Sequence, residues 1–326
     1  MELDSLEGVG PVTKQKLHEA GIYSIMDLAA RGVGEVADSI NGDTAKASEL
    51  INKARTKLSD LGVLAKDFVS ARELFQKRQS IERVSTGSKN LDTLLGGGVE
   101  TGAVTEFYGE FGSGKSQICH TLAVMVQESK EKGGLSAGAL YVDTEGTFRP
   151  ERIAEIAEAR GTDPGKVLDN IIVAKAYNSA HQELIVREVG RQIERTKLKL
   201  VVVDSAVAHY RAEFLGRGTL AERQQRLNRF MHMLVRDAEV YGVVVVVTNQ
   251  VQSSPDFFFG DPTRATGGHV VAHTSTYRLY LRKASKSRIA RMVDSPYHPE
   301  GEAVFVINSK GVDDPSEDSP RKRSGS

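Results

Sequence analysis

The eight residues GEFGSGKS at positions 109–116 constrain this chain more than any other stretch. They fit the spacing G-x-x-x-x-G-K-S and stand between the apolar run AVTEFY and the helical run QICHTLAVMVQESK. That order, strand then glycine-rich turn then helix, is the context in which such a turn cradles phosphate. Gly109, Gly112 and Gly114 let the backbone curl close to phosphate oxygens, and successive N–H groups with the helix N-terminus supply the donors. Glu110, Phe111 and Ser113 complete the loop and Gln117 begins the supported helix. Lys115 has the reach for β- and γ-phosphates and Ser116 can place its hydroxyl on Mg²⁺. The expected ligands are ATP and Mg²⁺.

Around this turn the chain reads as an α/β domain. AVTEFYG, GALYVDTEG, NIIVAKAY, LKLVVVDS, GVVVVVTNQ, TYRLYLRK and EAVFVIN are apolar enough for buried strands, with helical stretches between the first several. Asp204 closes one of these strands, where a carboxylate can support the magnesium ion through water. An attacking water also needs a base, and YVDTEGTFRPER offers Asp143, Glu145 and Glu151. Pro150 can start a helix with Glu151 in its first turn. The residues alone leave the choice among the three open. Asn249 and Gln250 end another strand, placed to sense a terminal phosphate and move the next segment of chain. That segment, 251–275, holds two prolines, three consecutive phenylalanines and a Gly-Gly pair, which argues against a continuous core element.

The 43 Lys and Arg are balanced by 43 Asp and Glu, so whole-chain charge favours neither nucleic acid nor an anionic membrane, and a basic surface has to be local. Two regions qualify. HYRAEFLGRGTLAERQQRLNRF reads as a flexible basic stretch with Arg211, Arg217, Arg223, Arg226 and Arg229, and 251–275 adds Arg264. Arginines with backbone donors can hold a single strand while apolar side chains wedge its stacks. Cys119, the lone cysteine, cannot form an intrachain disulfide, which fits a reducing compartment. No window approaches 18 uninterrupted apolar residues and the first ten residues lack a signal-peptide pattern, so an intracellular protein without a membrane partner is expected.

Residues 1–60 read as a small helical module in which Val12, Leu17 and Ala20 share a helix face. Its GVG at 8–10 is either a plain turn or a hairpin whose N–H groups approach a DNA phosphate, despite seven basic against ten acidic residues. Residues 61–98 read as a connector. Phe68, followed three residues later by Ala71, either covers its own core or anchors in a neighbour's pocket. The ATPase domain is expected over 99–312, with a disordered polar tail at 313–326 carrying an RKR cluster.

Taken together, KRQSIERVSTG, GEFGSGKSQICH, YVDTEGTFRPERI, LVVVDS, TNQVQSSPD and ATGGHVVAH resemble the archaeal RadA recombinases and, more distantly, the eukaryotic strand-exchange recombinases and bacterial RecA. The resemblance covers about residues 3–312. It implies a RecA-like P-loop ATPase core with an N-terminal helix-hairpin-helix domain. It also implies an ATP-dependent filament on single-stranded DNA that pairs with homologous double-stranded DNA, and self-association into filaments or rings. Mediator proteins and paralogues are the further partners it implies, with a place in the cytoplasm on the chromosome. By the same resemblance Glu151 is the preferred base, Arg152 packs near the adenine, Gln250 is the phosphate sensor, and residues 209–220 and 251–275, the latter with Gly267 and Gly268, are the two DNA-binding loops. Phe68 and Ala71 match the polymerisation anchor. MVDSPYHPEGEAVFVIN resembles the cap that brings Asp294 and Pro296 to a neighbour's ATP. A paralogue that remodels filaments and a nucleotide-controlled scaffold share parts of this pattern.

Overall fold

Unbroken valine at 201–203 and 243–247 leaves these segments no polar face, and the chain buries both sides of each between helical layers. The computed structural model describes residues 1–64, 68–253, 263–265 and 269–316. Four helices build the N-terminal module: α1 (Pro11–Glu19), α2 (Ile25–Ala30), α3 (Val33–Ser39) and α4 (Thr44–Asp60). The connector helix α5 (Ala71–Gln79) leads to β1 (Arg83–Val84), α6 (Lys89–Leu94) and β2 (Val99–Glu100). Then come β3 (Ala103–Gly109), α7 (Lys115–Met125), β4 (Gly138–Asp143), α8 (Pro150–Ala159), α9 (Pro164–Asp169), β5 (Ile171–Lys175), α10 (Ser179–Arg187) and α11 (Val189–Thr196). The chain continues through β6 (Leu198–Asp204), α12 (Ala208–Glu213), α13 (Leu220–Tyr241), β7 (Val244–Ser253), β8 (Thr263–Ala265) and α14 (His269–Thr274). It closes with β9 (Tyr277–Ala284), β10 (Ser287–Asp294), β11 (Gly301–Asn308) and β12 (Gly311–Asp313).

The main sheet has the order β12-β11-β10-β9-β3-β7-β6-β4-β5, with β8 paired to β7. From β9 to β5 neighbouring strands are parallel, and from β9 to β12 they are antiparallel. Strand alternation divides the core in two. Phe107, Tyr141, Val202, Val244 and Val246 face α7 and α8, while Val104, Leu140, Val201, Val203, Val245 and Val247 face α10, α11 and α13. Because β3 continues through α7 to β4, with β7 and β6 intervening, the strand ends on both sides of that crossover open onto one edge, where α/β sheets take their ligands.

The N-terminal module has its own core of Leu3, Leu17, Ile22, Ile25, Leu28, Leu50, Ile51 and Leu58. Ser24 and Asp27 close α2 with a capping box and Asp43 caps α4. Leu17 is buried as its spacing predicts, but Val12 on the same helix is exposed. The module rests on the large α/β domain through polar contacts. The Tyr23 hydroxyl donates to Glu188 at 3.1 Å, Arg31 to the Arg187 carbonyl at 3.1 Å, and the Tyr241 hydroxyl to Asp27 at 2.5 Å.

Two boundaries differ from the sequence reading. Val84, Leu91 and Leu95 belong to the main core, so the large domain begins before residue 99. At the other end β12 reaches Asp313, and Asp314 accepts from the Ser88 hydroxyl and the N–H groups of Lys89 and Asn90, fastening α6 beyond residue 312. β10 was not anticipated, because SRIARMVD alternates charge with small apolar residues on a half-exposed hairpin. Among the described residues no helix is long and apolar enough to cross a membrane.

Candidate nucleotide site and its flanking loops

β3 ends at Gly109, level with Gln250 of β7 and Leu281 of β9, and β6 ends at Asp204, level with Asp143 of β4. The predicted loop residues thus sit on the ligand edge of the sheet. Gly109 is obligatory, since a Cβ there would stand 2.1 Å from the Leu281 carbonyl oxygen, and Gly114 turns at φ +107° into α7. Glu110 and Phe111 form the exposed tip, Ser113 is buried, and Ser116 and Gln117 lie in the first turn of α7. The Lys115 ammonium folds back to donate to the carbonyls of Gly109 and Glu110, both at 2.9 Å. Burial lowers its pKa, opposed by Asp204 and Glu145. Arg288 of β10 donates to the Gly112 carbonyl at 3.1 Å, a brace from a strand the sequence reading lacked.

The carboxylates divide by what they accept. Asp143 takes the N–H groups of Glu145 at 3.2 Å, Thr147 at 3.1 Å and Phe148 at 3.2 Å, so it holds the turn after β4. Asp204 takes three hydroxyls, from Tyr141 at 2.7 Å, Thr147 at 3.2 Å and Thr248. Its charge also acts on the Lys115 ammonium, raising that pKa against burial. Glu145 accepts from the Ser205 hydroxyl at 2.6 Å and from the Gln250 amide at 3.2 Å. Glu151 is exposed in the first turn of α8. Next to it, Arg152 donates to the Gln117 side chain at 2.8 Å and to the Asn308 carbonyl, tying the start of α7 to β11.

Gln250 is the junction of this edge with the first basic loop. Its Nε2 faces Glu145, and its Oε1 is 3.5 Å from the Arg211 guanidinium of α12, at the limit of a hydrogen bond. Asn249, also expected to sense phosphate, is instead buried and donates to Glu106 at 2.8 Å, which in turn holds Arg278 at 2.6 Å. Glu106 escaped the sequence reading because one acid in an apolar run gives no sign of a partner on β9, six strands later in the chain though adjacent in the sheet.

The first basic region is less flexible than expected. Arg217 opens a short 3-10 helix, and Arg223, Arg226 and Arg229 lie on the 22-residue helix α13. Arg223 is half-buried, and Arg226 is held by Glu183 at 2.9 Å, so α13 presents fewer free arginines than a loop would. In the second region β7 runs on to Ser253 and pairs with β8, where Arg264 lies opposite Gln252. Gly267 and Gly268 lie outside the described residues, as do the three phenylalanines.

Phe68 is 93% exposed and Ala71 is the first residue of α5, behind a capping box of Ser70 and Glu73. Of its two readings, cover for its own core is thereby removed. Asp294 pairs with Arg278, which is level with Glu106 on β3, about 10 Å back along the strand from Gly109 at ~3.3 Å per residue. Asp294 and Pro296 are both exposed, with Asp294 set back along the sheet from the chain's own P-loop.

A parallel sheet with a P-loop after its central strand, a carboxylate closing a neighbouring strand, and an antiparallel extension defines a RecA-like α/β core. The sequence comparisons narrow this. Residues 77–315 match the Rad51 family. The DNA repair and recombination protein RadA of Cenarchaeum symbiosum (strain A) is 53% identical over 317 residues, 97% of this chain and 80% of that protein. The chain belongs to the Rad51 family of RecA/RadA-type recombinases, in which ATP binding and hydrolysis are typical.

Proposed function

We propose that this chain is an ATP-dependent strand-exchange recombinase, a DNA-dependent ATPase that assembles on single-stranded DNA and pairs it with homologous duplex in recombination and repair. The observation that carries the reading is the position of Gln250, whose amide stands between Glu145 on the nucleotide edge and Arg211 on the first basic loop. A change at the terminal phosphate and a change at bound DNA would each move that one side chain.

The residues fit ATP with Mg²⁺. Gly109 to Ser116 cradle the phosphates, and Ser116 with Asp204 would hold the ion. Among the described residues no cluster of three or more His, Cys, Asp or Glu forms a cage, as suits an ion carried largely by water and phosphate. Mg²⁺, when bound, would supply charge neutralisation on the phosphoryl oxygens. Lys115, freed from the loop carbonyls, would add positive charge there. Glu151, in the first turn of α8, is the proposed base, with Glu145, which faces Gln250, as the alternative; Asp143 is occupied by the turn. Arg211, Arg217 and Arg264 are the proposed DNA contacts, with the GVG turn of the N-terminal module as a further phosphate site. Phe68 and Ala71 dock on one neighbour, and Asp294 and Pro296 reach a neighbour's nucleotide. Mediator proteins and paralogues acting on such filaments, and a place on the chromosome in the cytoplasm, belong to the same reading.

The test mixes the purified protein with ATP, Mg²⁺, circular single-stranded DNA and linear duplex. Joint molecules with homologous but not with nonhomologous duplex are the expected result. Filaments that hydrolyse ATP without forming joint molecules would mark a paralogue, and no binding to single strands at low salt would mark a scaffold.

A further inference from the structure

Away from the nucleotide edge, Glu100 of β2 is 4% exposed and carries two guanidiniums. Arg78, from the end of α5, lies 3.0 Å from Oε1, and Arg83 of β1 lies 3.1 Å from Oε2. The Tyr297 hydroxyl also reaches Oε2, at 3.4 Å, and the Arg78 guanidinium sits 5.7 Å from the Tyr297 ring centroid. Tyr297 packs on His298 with centroids 4.0 Å apart, and both rings lean on Tyr277, at 6.3 and 5.5 Å. Ser295 folds this loop, its hydroxyl accepting the His298 N–H at 3.0 Å and bonding the His298 Nδ1 at 3.0 Å. Gly96 makes room, since a Cβ there would stand 2.4 Å from the His298 Nε2.

The segments that meet at Glu100 have something in common. α5 begins at Ala71, three residues after the exposed Phe68, and its other end supplies Arg78. Loop 295–298 comes directly after Asp294 and contains Pro296. The far end of the helix behind Phe68 and the loop behind Asp294 thus meet at one buried carboxylate. A buried acid between two cations is a demanding arrangement, because losing the acid leaves two guanidiniums facing each other. A hydrogen bond from Tyr297 to that acid then fixes the loop to the same point.

We propose that Glu100 and Tyr297 are positioning residues that tie the docking helix α5 to the cap loop, so that anchoring one subunit sets Asp294 and Pro296 against the nucleotide of the next. This rests on the composite site proposed above. Neither residue touches ATP; both act by holding the loop that does.

The experiment measures DNA-stimulated ATP turnover of Tyr297→Phe and Glu100→Gln, with Asp294→Ala as the direct cap variant and circular dichroism as the folding control. Removing the Tyr297 hydroxyl, which donates to Glu100 and accepts from Arg83 at 3.4 Å, or neutralising Glu100 between its two guanidiniums, should raise the KM for ATP about tenfold in assembled protein while kcat stays within about twofold. Nucleotide binding to unassembled protein at high dilution should not change. The decisive arm mixes each variant with Lys115→Ala protein. The Lys115→Ala subunit contributes an intact cap to the intact P-loop of its neighbour, so mixed filaments should recover the low KM for Tyr297→Phe and for Asp294→Ala alike. Wild-type KM in a folded Tyr297→Phe and Glu100→Gln, with a raised KM in Asp294→Ala, overturns the positioning role and leaves the composite site standing. A raised KM in Tyr297→Phe that mixing does not correct, while Asp294→Ala is corrected, shows that the cluster acts within its own subunit and also overturns it. Failure of Asp294→Ala itself to recover in the mixture refutes the composite site, and the positioning role falls with it.

Discussion

The two ends of the central sheet differ in whom their side chains serve. At the end where β3, β6 and β7 finish, Lys115, Asp204, Glu145 and Gln250 are hydrogen-bonded to groups of the same chain. At the other end Asp294 and Pro296 face solvent, as does Phe68 in the connector ahead of α5, although Phe68 is the kind of side chain that gains about 1.5–3 kcal/mol from burial. One end is organised before any ligand arrives. The other is organised only behind its surface, at Glu100, and presents its contact residues outward. On the proposed reading, a chain built this way holds half of a nucleotide site and would offer the other half to a second copy, which would make assembly and hydrolysis parts of one process.

The comparison breaks most visibly at Lys115. If the ligand edge is complete for phosphate binding in each chain, Lys115→Ala should lower ATP turnover about 10²–10³-fold, the usual loss for one preorganised charged donor, with the fold retained. Turnover like that of the wild type in a folded variant would remove the P-loop from the chemistry. The choice of base sharpens the same end. Glu151→Gln should slow single-turnover hydrolysis about 10²-fold and preserve nucleotide binding, whereas Glu145→Gln should change it less. Loss confined to Glu145→Gln moves the base to the carboxylate that faces Gln250.

At the outward end, Phe68→Glu asks a carboxylate to enter an apolar pocket, at a cost on the order of several kcal/mol. Light scattering at matched concentration should show much smaller assemblies, and DNA-stimulated turnover should fall because the two half-sites no longer meet. Since Phe68 makes no core in its own chain, thermal stability should hold. Filaments of ordinary length would show that the exposed ring is not an anchor.

Legibility in the sequence divides along the same line. Strands of consecutive valine and a glycine spacing that only a phosphate-binding turn requires are local signals, and every strand expected from an apolar run is present. Pairwise relations across the sheet were not legible. Nothing in YVDTEGTFRPER distinguishes a carboxylate that accepts three turn N–H groups from one that faces Gln250, since that depends on β4, β6 and β7 lying side by side. The arginines after Gly216 look like a basic loop until α13 is seen to bury the apolar residues Leu227, Phe230, Met231 and Leu234 between them. The Glu100 cluster draws on four separate segments, each unremarkable alone.

The smallest expected effect concerns a region belonging to neither end, the seam between the N-terminal module and α13. There burial raises the pKa of Asp237 from 3.8 to about 8, against the pull of Arg31 and Arg236 and with help from Asp27 and Glu35. Its Oδ2 is sealed from solvent without a partner. The folded chain therefore holds a proton that the unfolded chain has released. That contribution to stability is complete below about pH 4 and is lost as pH rises toward 8, at no more than about 1.4 kcal/mol per pH unit. Asp237→Asn should abolish the slope. The melting temperature of the variant minus that of the wild type should climb by a few degrees between pH 6 and 8 and level off above, and protease cleavage between the module and the core should track the same curve. If each nucleotide site is built from the two ends of the sheet and the module only rests on α13, turnover per assembled site should keep the same ratio between Asp237→Asn and wild type across that range. A ratio that changes with the melting difference would make the module part of the catalytic assembly, and the division into two ends would have to become three.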